Sequence, residues 1–113
     1  MAAYILAHVR VTDWDRYGAY VRHTPRVIAE FGGRFLVRGA EPVVLEGEAD
    51  SRRVVIIEFP SLELAQAFFA SPQYARVKTL RDGAGTGDFV ALDGYDTATW
   101  EAALAVSLGL PLP

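Results

Sequence analysis

The stretch FGGRFLVRGAEPVVLEG (Phe31–Gly47), with VVIIEFPS (Val54–Ser61) after it, decides the fold. Both segments are rich in β-branched and aromatic residues, and the polar run GEADSR (47–52) between them reads as the turn of a hairpin. Gly32 and Gly33 end whatever helix precedes them, because glycine accepts the left-handed conformation past a helix C-terminus. The first strand is expected to run long, interrupted at Pro42, and the second from Arg53 to Phe59. Each carries ionisable groups in apolar surroundings, Arg38 and Glu46 on one and Glu58 on the other. Buried charges of this kind require a partner or a cavity.

Working outward, Tyr4–Val11 is a strand, and Thr12 and Asp13 supply N-cap chemistry for a helix with Asp15 in its first turn. Trp14, Tyr17, Val21, Ile28 and Phe31 recur near helical spacing, and Pro25 predicts a kink with a restart at Thr24. Pro60 and Ser61 close the hairpin and cap a second amphipathic helix, SLELAQAFFA. Ser71 and Pro72 re-aim that helix, which continues to about Arg81. A glycine-rich connection, 82–88, leads to a short strand Phe89–Leu92, and Asp96 caps an alanine-rich helix ending near Leu108. The order is the βαββαβ split βαβ of an α+β, ferredoxin-like sandwich with an antiparallel sheet. Residues 1–95 form the domain, and 96–113 a C-terminal helical extension and tail.

The bulk numbers exclude much. One domain of 113 residues, half hydrophobic, has enough apolar surface to fold. A net charge of -3 with ten scattered arginines gives no concentrated basic face, so no nucleic acid partner is expected. Cysteine is absent, which removes disulfides and thiolate chemistry. There is no signal peptide pattern and no run of ~20 apolar residues, so no membrane partner is expected and the location is read as cytoplasmic. No HxH or ExxH pair seeds a metal site, so metal and cofactors are expected to be none. GAGTGD (83–88) leads from helix to strand, the reverse of a phosphate loop.

At period two the odd strand positions are apolar: Ile5, Ala7, Val9 and Val11, Phe35 and Val37, Val43 and Leu45, Val55, Ile57 and Phe59. The even positions mix Tyr4, Leu6, His8, Arg10, Leu36, Arg38, Val44, Glu46, Val54, Ile56 and Glu58. One helix layer covers one face, and the other is too apolar for water. A second copy stacked on it makes a barrel-like homodimer whose lumen holds His8, Arg38, Glu46 and Glu58.

These residues resemble the family of domain of unknown function thirteen-thirty, in the dimeric α+β barrel superfamily. The resemblance covers residues 3–95 and rests on AYILAHVRVTD, FGGRFLVRG followed by LEG, VVIIEFPS, FFASPQY, and Arg81. It implies a ferredoxin-like homodimer with a central cavity and no particular activity. The superfamily also holds cofactor-independent monooxygenases and lactone isomerases, an analogy of fold alone. Phe68 and Phe69 stand where the family commonly has tryptophan and tyrosine.

The expected function is a small-molecule-binding homodimer, with a cofactor-independent acid–base enzyme as its sharper form. His8, Arg38 and Glu58 are the candidate catalytic residues, Arg38 as anion clamp for a carboxylate or phenol and His8 or Glu58 as base. Tyr4, Glu46, Tyr74 and Arg81 are candidate ligand contacts. The alternative is a non-catalytic module in which Arg38 and Glu58 neutralise each other and stabilise the dimer. His23, beside Pro25, reads as an exposed helix residue before it reads as a haem ligand.

Overall fold

The computed structural model describes residues 1–113. Strand β1 (Ala3–Val11) is central because both of its edges are paired. It runs antiparallel to β3 (Arg53–Phe59) on one side and to β4 (Gly85–Asp93) on the other, with β2 (Arg34–Ala40) beyond β3, giving the order β2-β3-β1-β4. Helices α1 (Trp14–Glu30), α2 (Leu62–Ala70) and α3 (Pro72–Lys78), the last continued by a 3-10 turn Thr79–Arg81, cover one face. This is the ferredoxin-like α+β sandwich expected. Ala3, Ile5, Ala7, Val9, Ile57 and Phe59 on the covered face pack against Tyr17, Val27, Ile28, Ala65, Phe68 and Tyr74 of the helices.

The caps are the ones the sequence offers. Asp13 accepts from the Arg16 amide, Ser61 from Leu64, Ser71 from Tyr74 and Asp96 from Thr99, each stabilising its helix by about 0.5–2 kcal/mol. Ser71 also donates its hydroxyl to the Phe68 carbonyl at 2.7 Å, which fixes the turn between α2 and α3. α4 (Thr97–Leu108) follows β4 and buries none of its residues. No helix is long and apolar enough to cross a membrane.

Four expectations are corrected. Pro25 does not restart α1, which runs unbroken through it. The proline has no N–H, so the Val21 carbonyl four residues earlier is released from the helix ladder. Thr24 Oγ1 donates to that carbonyl at 3.3 Å, and so does the Arg38 guanidinium. These bonds replace the missing one.

The first hairpin strand stops at Ala40 rather than continuing past Pro42, leaving 41–52 without regular structure. Val43 and Leu45 are 84% and 95% exposed, and Glu46 sits in this loop, outside any strand. Proline cannot donate to a ladder, and β2 has no further partner once Ala40 has met Val54.

β2 also slips twice against β3, between Phe35 and Val37 and again between Arg38 and Ala40. The second slip is made at Gly39, whose φ of +77° suits glycine. Each bulge changes which face the following side chain takes. Val37 therefore opposes Ile56 on the uncovered face, and Arg38 opposes Val55 on the helix side.

Finally, β4 begins at Gly85, so much of the glycine-rich connection is strand. A Cβ on Gly85 would lie 2.6 Å from the Arg10 carbonyl oxygen and one on Gly87 3.2 Å from that of His8. These glycines permit close pairing with β1.

Candidate functional site

The uncovered face carries Tyr4, Leu6, His8 and Arg10 from β1, Arg34, Leu36, Val37 and Ala40 from β2, Val54, Ile56 and Glu58 from β3, and Thr86, Asp88, Val90 and Leu92 from β4. On the other face, between the sheet and α1, lies a cavity of about 400 Å³. That is within the size range of small-molecule sites, and its walls are mostly apolar as such sites are. Ile5, Val9, Val55 and Ile57 form the sheet side, Tyr17, Tyr20, Val21, Thr24 and Ile28 the helix side, and Phe68, Phe69, Tyr74 and Phe89 one end. Trp14, Phe35, Arg38, Gly39 and Arg53 complete the lining, which includes no carboxylate and no imidazole.

Both arginines are held against aromatic rings. The Arg38 guanidinium carbon lies 4.5 Å from the Phe35 ring centre, and that of Arg53 5.3 Å from the Trp14 ring centre. Arg53 also donates to the Gly39 carbonyl at 3.0 Å and reaches Glu41 at 3.4 Å. Arg38 has no carboxylate partner; its hydrogen bond is to the carbonyl that Pro25 releases. A guanidinium has five N–H donors, so Arg38 retains free donors for an anionic group in the cavity.

Deeper in, Tyr20 and Tyr74 place their hydroxyl oxygens 2.7 Å apart in a buried hydrogen bond. Burial, reinforced by Tyr74, pushes the Tyr20 phenol far up, and burial pushes the Tyr17 phenol up against the partial opposition of Arg81. Both are neutral at physiological pH, so they offer hydrogen bonds and not a base. Arg81 closes this end, its guanidinium carbon 5.5 Å from the Tyr20 ring centre and 5.1 Å from that of Phe89. Its Nε is buried without a partner. Burial works against its charge, but Tyr74 and Tyr20 outweigh that and leave its pKa raised.

The structure separates the residues that parity had grouped. Arg38 is on the cavity side and His8 and Glu58 are on the uncovered side. Glu58 pairs with Arg34, Nε to Oε1 at 3.0 Å, and lies opposite Tyr4. His8 lies opposite Val54 and Asp88, near the other end of the strand. There Arg52 bridges Asp50 and Asp88 and holds the Asp50 carboxyl down to about 2, first through its side-chain and then its backbone hydrogen bond. Tyr74 is in the cavity and Arg81 behind it, whereas Tyr4 and Glu46 are remote from it. His23 is exposed and donates Nδ1–H to the Ala19 carbonyl at 2.7 Å. No group of three or more metal-ligating side chains converges. Tyr20 and Arg53 join the site only in the folded chain; the sequence signal for the first is that Tyr17, Tyr20, Val21, Thr24 and Ile28 share one helical stripe.

The family model described as "Domain of unknown function (DUF1330)" matches residues 2–95. The chain belongs to this family. α4 lies beyond the matched family region. No curated protein matches the chain in sequence. Among solved structures it is similar to the RPA0582 protein of unknown function from Rhodopseudomonas palustris, at 22% identity and a TM-score of 0.68, over 84% of this chain and 83% of that one. A dimeric ferredoxin-like protein of unknown function from Jannaschia sp. matches at 14% identity and 0.62, over 83% and 100%. SnoaB, a cofactor-independent oxygenase from Streptomyces nogalater, matches at 14% and 0.58, over 85% and 95%. At these identities the likeness is one of fold.

Proposed function

We propose that this DUF1330 protein binds a small, largely aromatic or aliphatic molecule bearing one carboxylate or phenolic oxygen, in the cavity between α1 and the sheet. The observation that carries this reading is a mostly apolar chamber with no carboxylate in its lining and with Arg38, which has no acidic partner, on its wall. Arg38 is the anion clamp, since its guanidinium is anchored by a carbonyl and a ring rather than by a carboxylate. Tyr20 and Tyr74 supply hydroxyls for a second oxygen. Binding is the activity the cavity supports on its own, because its lining holds no carboxylate and no imidazole, and burial pushes the Tyr17 and Tyr20 phenols up.

The working unit is a homodimer, with the uncovered sheet face of one copy against that of another. Leu36, Val90 and Leu92 on that face are exposed in the single chain and are the apolar part of this contact. His8, Glu58, Arg34 and the Arg52 cluster are its charged part, which keeps the stabilising role for Glu58 while replacing Arg38 by Arg34 as its partner.

The test uses 2-naphthoate and its uncharged counterpart 2-naphthamide, followed by calorimetry and thermal shift. The acid is expected to bind more tightly than the amide. Arg38→Gln is expected to weaken the acid by roughly tenfold to a hundredfold, the worth of one charge-assisted hydrogen bond of about 1.5–3 kcal/mol, and to leave the amide unaffected. Equal loss for both probes, or no binding of either, overturns the proposal.

A further inference from the structure

The C-terminal helix α4 has the composition of a buried helix and the surroundings of a free one. All twelve of its residues are exposed, among them Trp100 at 53% and Val106 at 68%. Its apolar residues are spread around the whole circumference, and Glu101 is its only charge. A surface helix shows a stripe; one that is apolar all round is covered on more than one side. It also makes the molecule long. The radius of gyration is 17.2 Å, with extents of 55 × 32 × 16 Å, against ~13 Å for a globule of about this length.

We infer that α4 is an arm that docks on a second copy of this chain, so that two exchanged arms clamp the homodimer. The inference rests on the face-to-face dimer proposed above and adds the segment that makes it tight. Three observations support it. First, the uncovered sheet face alone is small: its four strands present fifteen side chains, whereas a stable interface takes about 20–30 residues a side. The twelve residues of α4 bring the contact into that range.

Second, the dimensions fit. A helix of this length is ~18 Å long, and four strands spaced ~4.8 Å apart make a sheet about as wide, so an arm leaving the edge strand β4 can span a partner. Third, a membrane surface is the wrong occupant. Helices that lie in a bilayer interface carry a charged face rich in lysine or arginine, and residues 94–113 contain neither.

The test is sedimentation velocity over a dilution series of the full chain and of the full-length double variant Trp100→Glu, Leu104→Glu. Neither side chain is in the core, so circular dichroism is expected to be unchanged. The wild-type chain is expected to be dimeric at micromolar concentration, and the variant's dimer dissociation constant to rise at least about tenfold, as when two apolar anchors are lost from an interface. A variant that dimerises as tightly as wild type overturns the arm and leaves the dimer standing. A wild-type chain that is monomeric at micromolar concentration removes the dimer itself, and the arm with it. Co-sedimentation of wild type, and not of the variant, with phosphatidylcholine vesicles assigns α4 to a lipid surface and also overturns the inference.

Discussion

Ile56 and Ile57 are neighbours in β3, yet they belong to two different environments. Ile57 is 6% exposed, pointing into the packed layer beneath the helices and lining the cavity; Ile56 faces out of the sheet opposite Leu6. The helix side is packed within one chain, where Tyr20 and Tyr74 pair their hydroxyls and Arg81 Nε is buried without a partner. The outer side is unfinished, an apolar field with charged clusters towards its ends. One face of a single sheet thus holds the proposed ligand chamber, and the other the proposed contact with a second copy.

The comparison is broken most sharply by substituting these two residues in turn. Ile57→Ala is expected to lower stability by about 2–5 kcal/mol through the cavity it leaves, with no change in dimer affinity once folding is allowed for. Ile56→Asp is expected to act on association instead: a folded monomer that loses only the stabilisation the partner gave, with a melting temperature no longer dependent on protein concentration, because the carboxylate faces water when the partner is absent. Chemical denaturation and sedimentation on both variants read the outcomes. If both act mainly on melting, the uncovered face is not an interface.

A smaller difference lies at the alkaline end. Tyr20 and Tyr17 have folded pKa values raised above the ~10 of a free phenol, chiefly by burial. Below that value both states keep their protons. Above it the unfolded chain releases protons that the folded chain retains, so stability falls as pH rises. Ultraviolet titration is therefore expected to find fewer than the full five tyrosines ionising near pH ~10 while the fold persists. Tyr20→Phe is expected to cost about 1–3 kcal/mol at neutral pH by taking the partner from the Tyr74 hydroxyl, yet to make stability fall less steeply above pH ~10. Five tyrosines titrating together in a folded protein would refute the buried pair.

How far the sequence reveals this division depends on the strand. Along β1 parity reads true: Ile5, Ala7 and Val9 go to the core, and Tyr4, Leu6 and His8 away from it. The order of elements along the chain, the four capped helices and the α2–α3 turn at Ser71 were equally legible, because each follows from local chemistry. In β2 the same counting fails. Alternation numbers residues but cannot locate a slip in the ladder; the slip between Phe35 and Val37 moves Arg38 across the sheet, and the second, at Gly39, returns Ala40 to the outer face. Two clues were present, Gly39 next to Arg38 and Pro25 four residues after the carbonyl that Arg38 binds. Neither is readable without knowing that α1 passes over β2. The cavity was hidden for the same reason, since its lining is drawn from nine separate positions on α1 and β2 and from β1, β3, β4, α2 and α3 besides.

The smallest expected effect is at the other end of the pH scale, on the outer face. Arg52 holds the Asp50 carboxyl at about 2, below the ~3.9 of a free aspartate. A depressed pKa contributes stability above the unfolded value and loses it as pH falls towards the folded one. The wild-type advantage over Asp50→Asn in melting temperature is therefore expected to be present at pH ~5 and to vanish by pH ~2. Asp50 is open to solvent in the single chain, so there the advantage is slight and is screened away in ~1 M salt, where the Debye length is ~3 Å. His8, which adds a small favourable charge effect on Asp50, lies on the same face. If a second copy covers this face, the cluster is shielded from salt in the dimer and exposed in the monomer. Measured on wild type and on the Ile56→Asp monomer, the Asp50 effect is expected to survive salt only in the first; loss in both means that this end of the sheet stays wet.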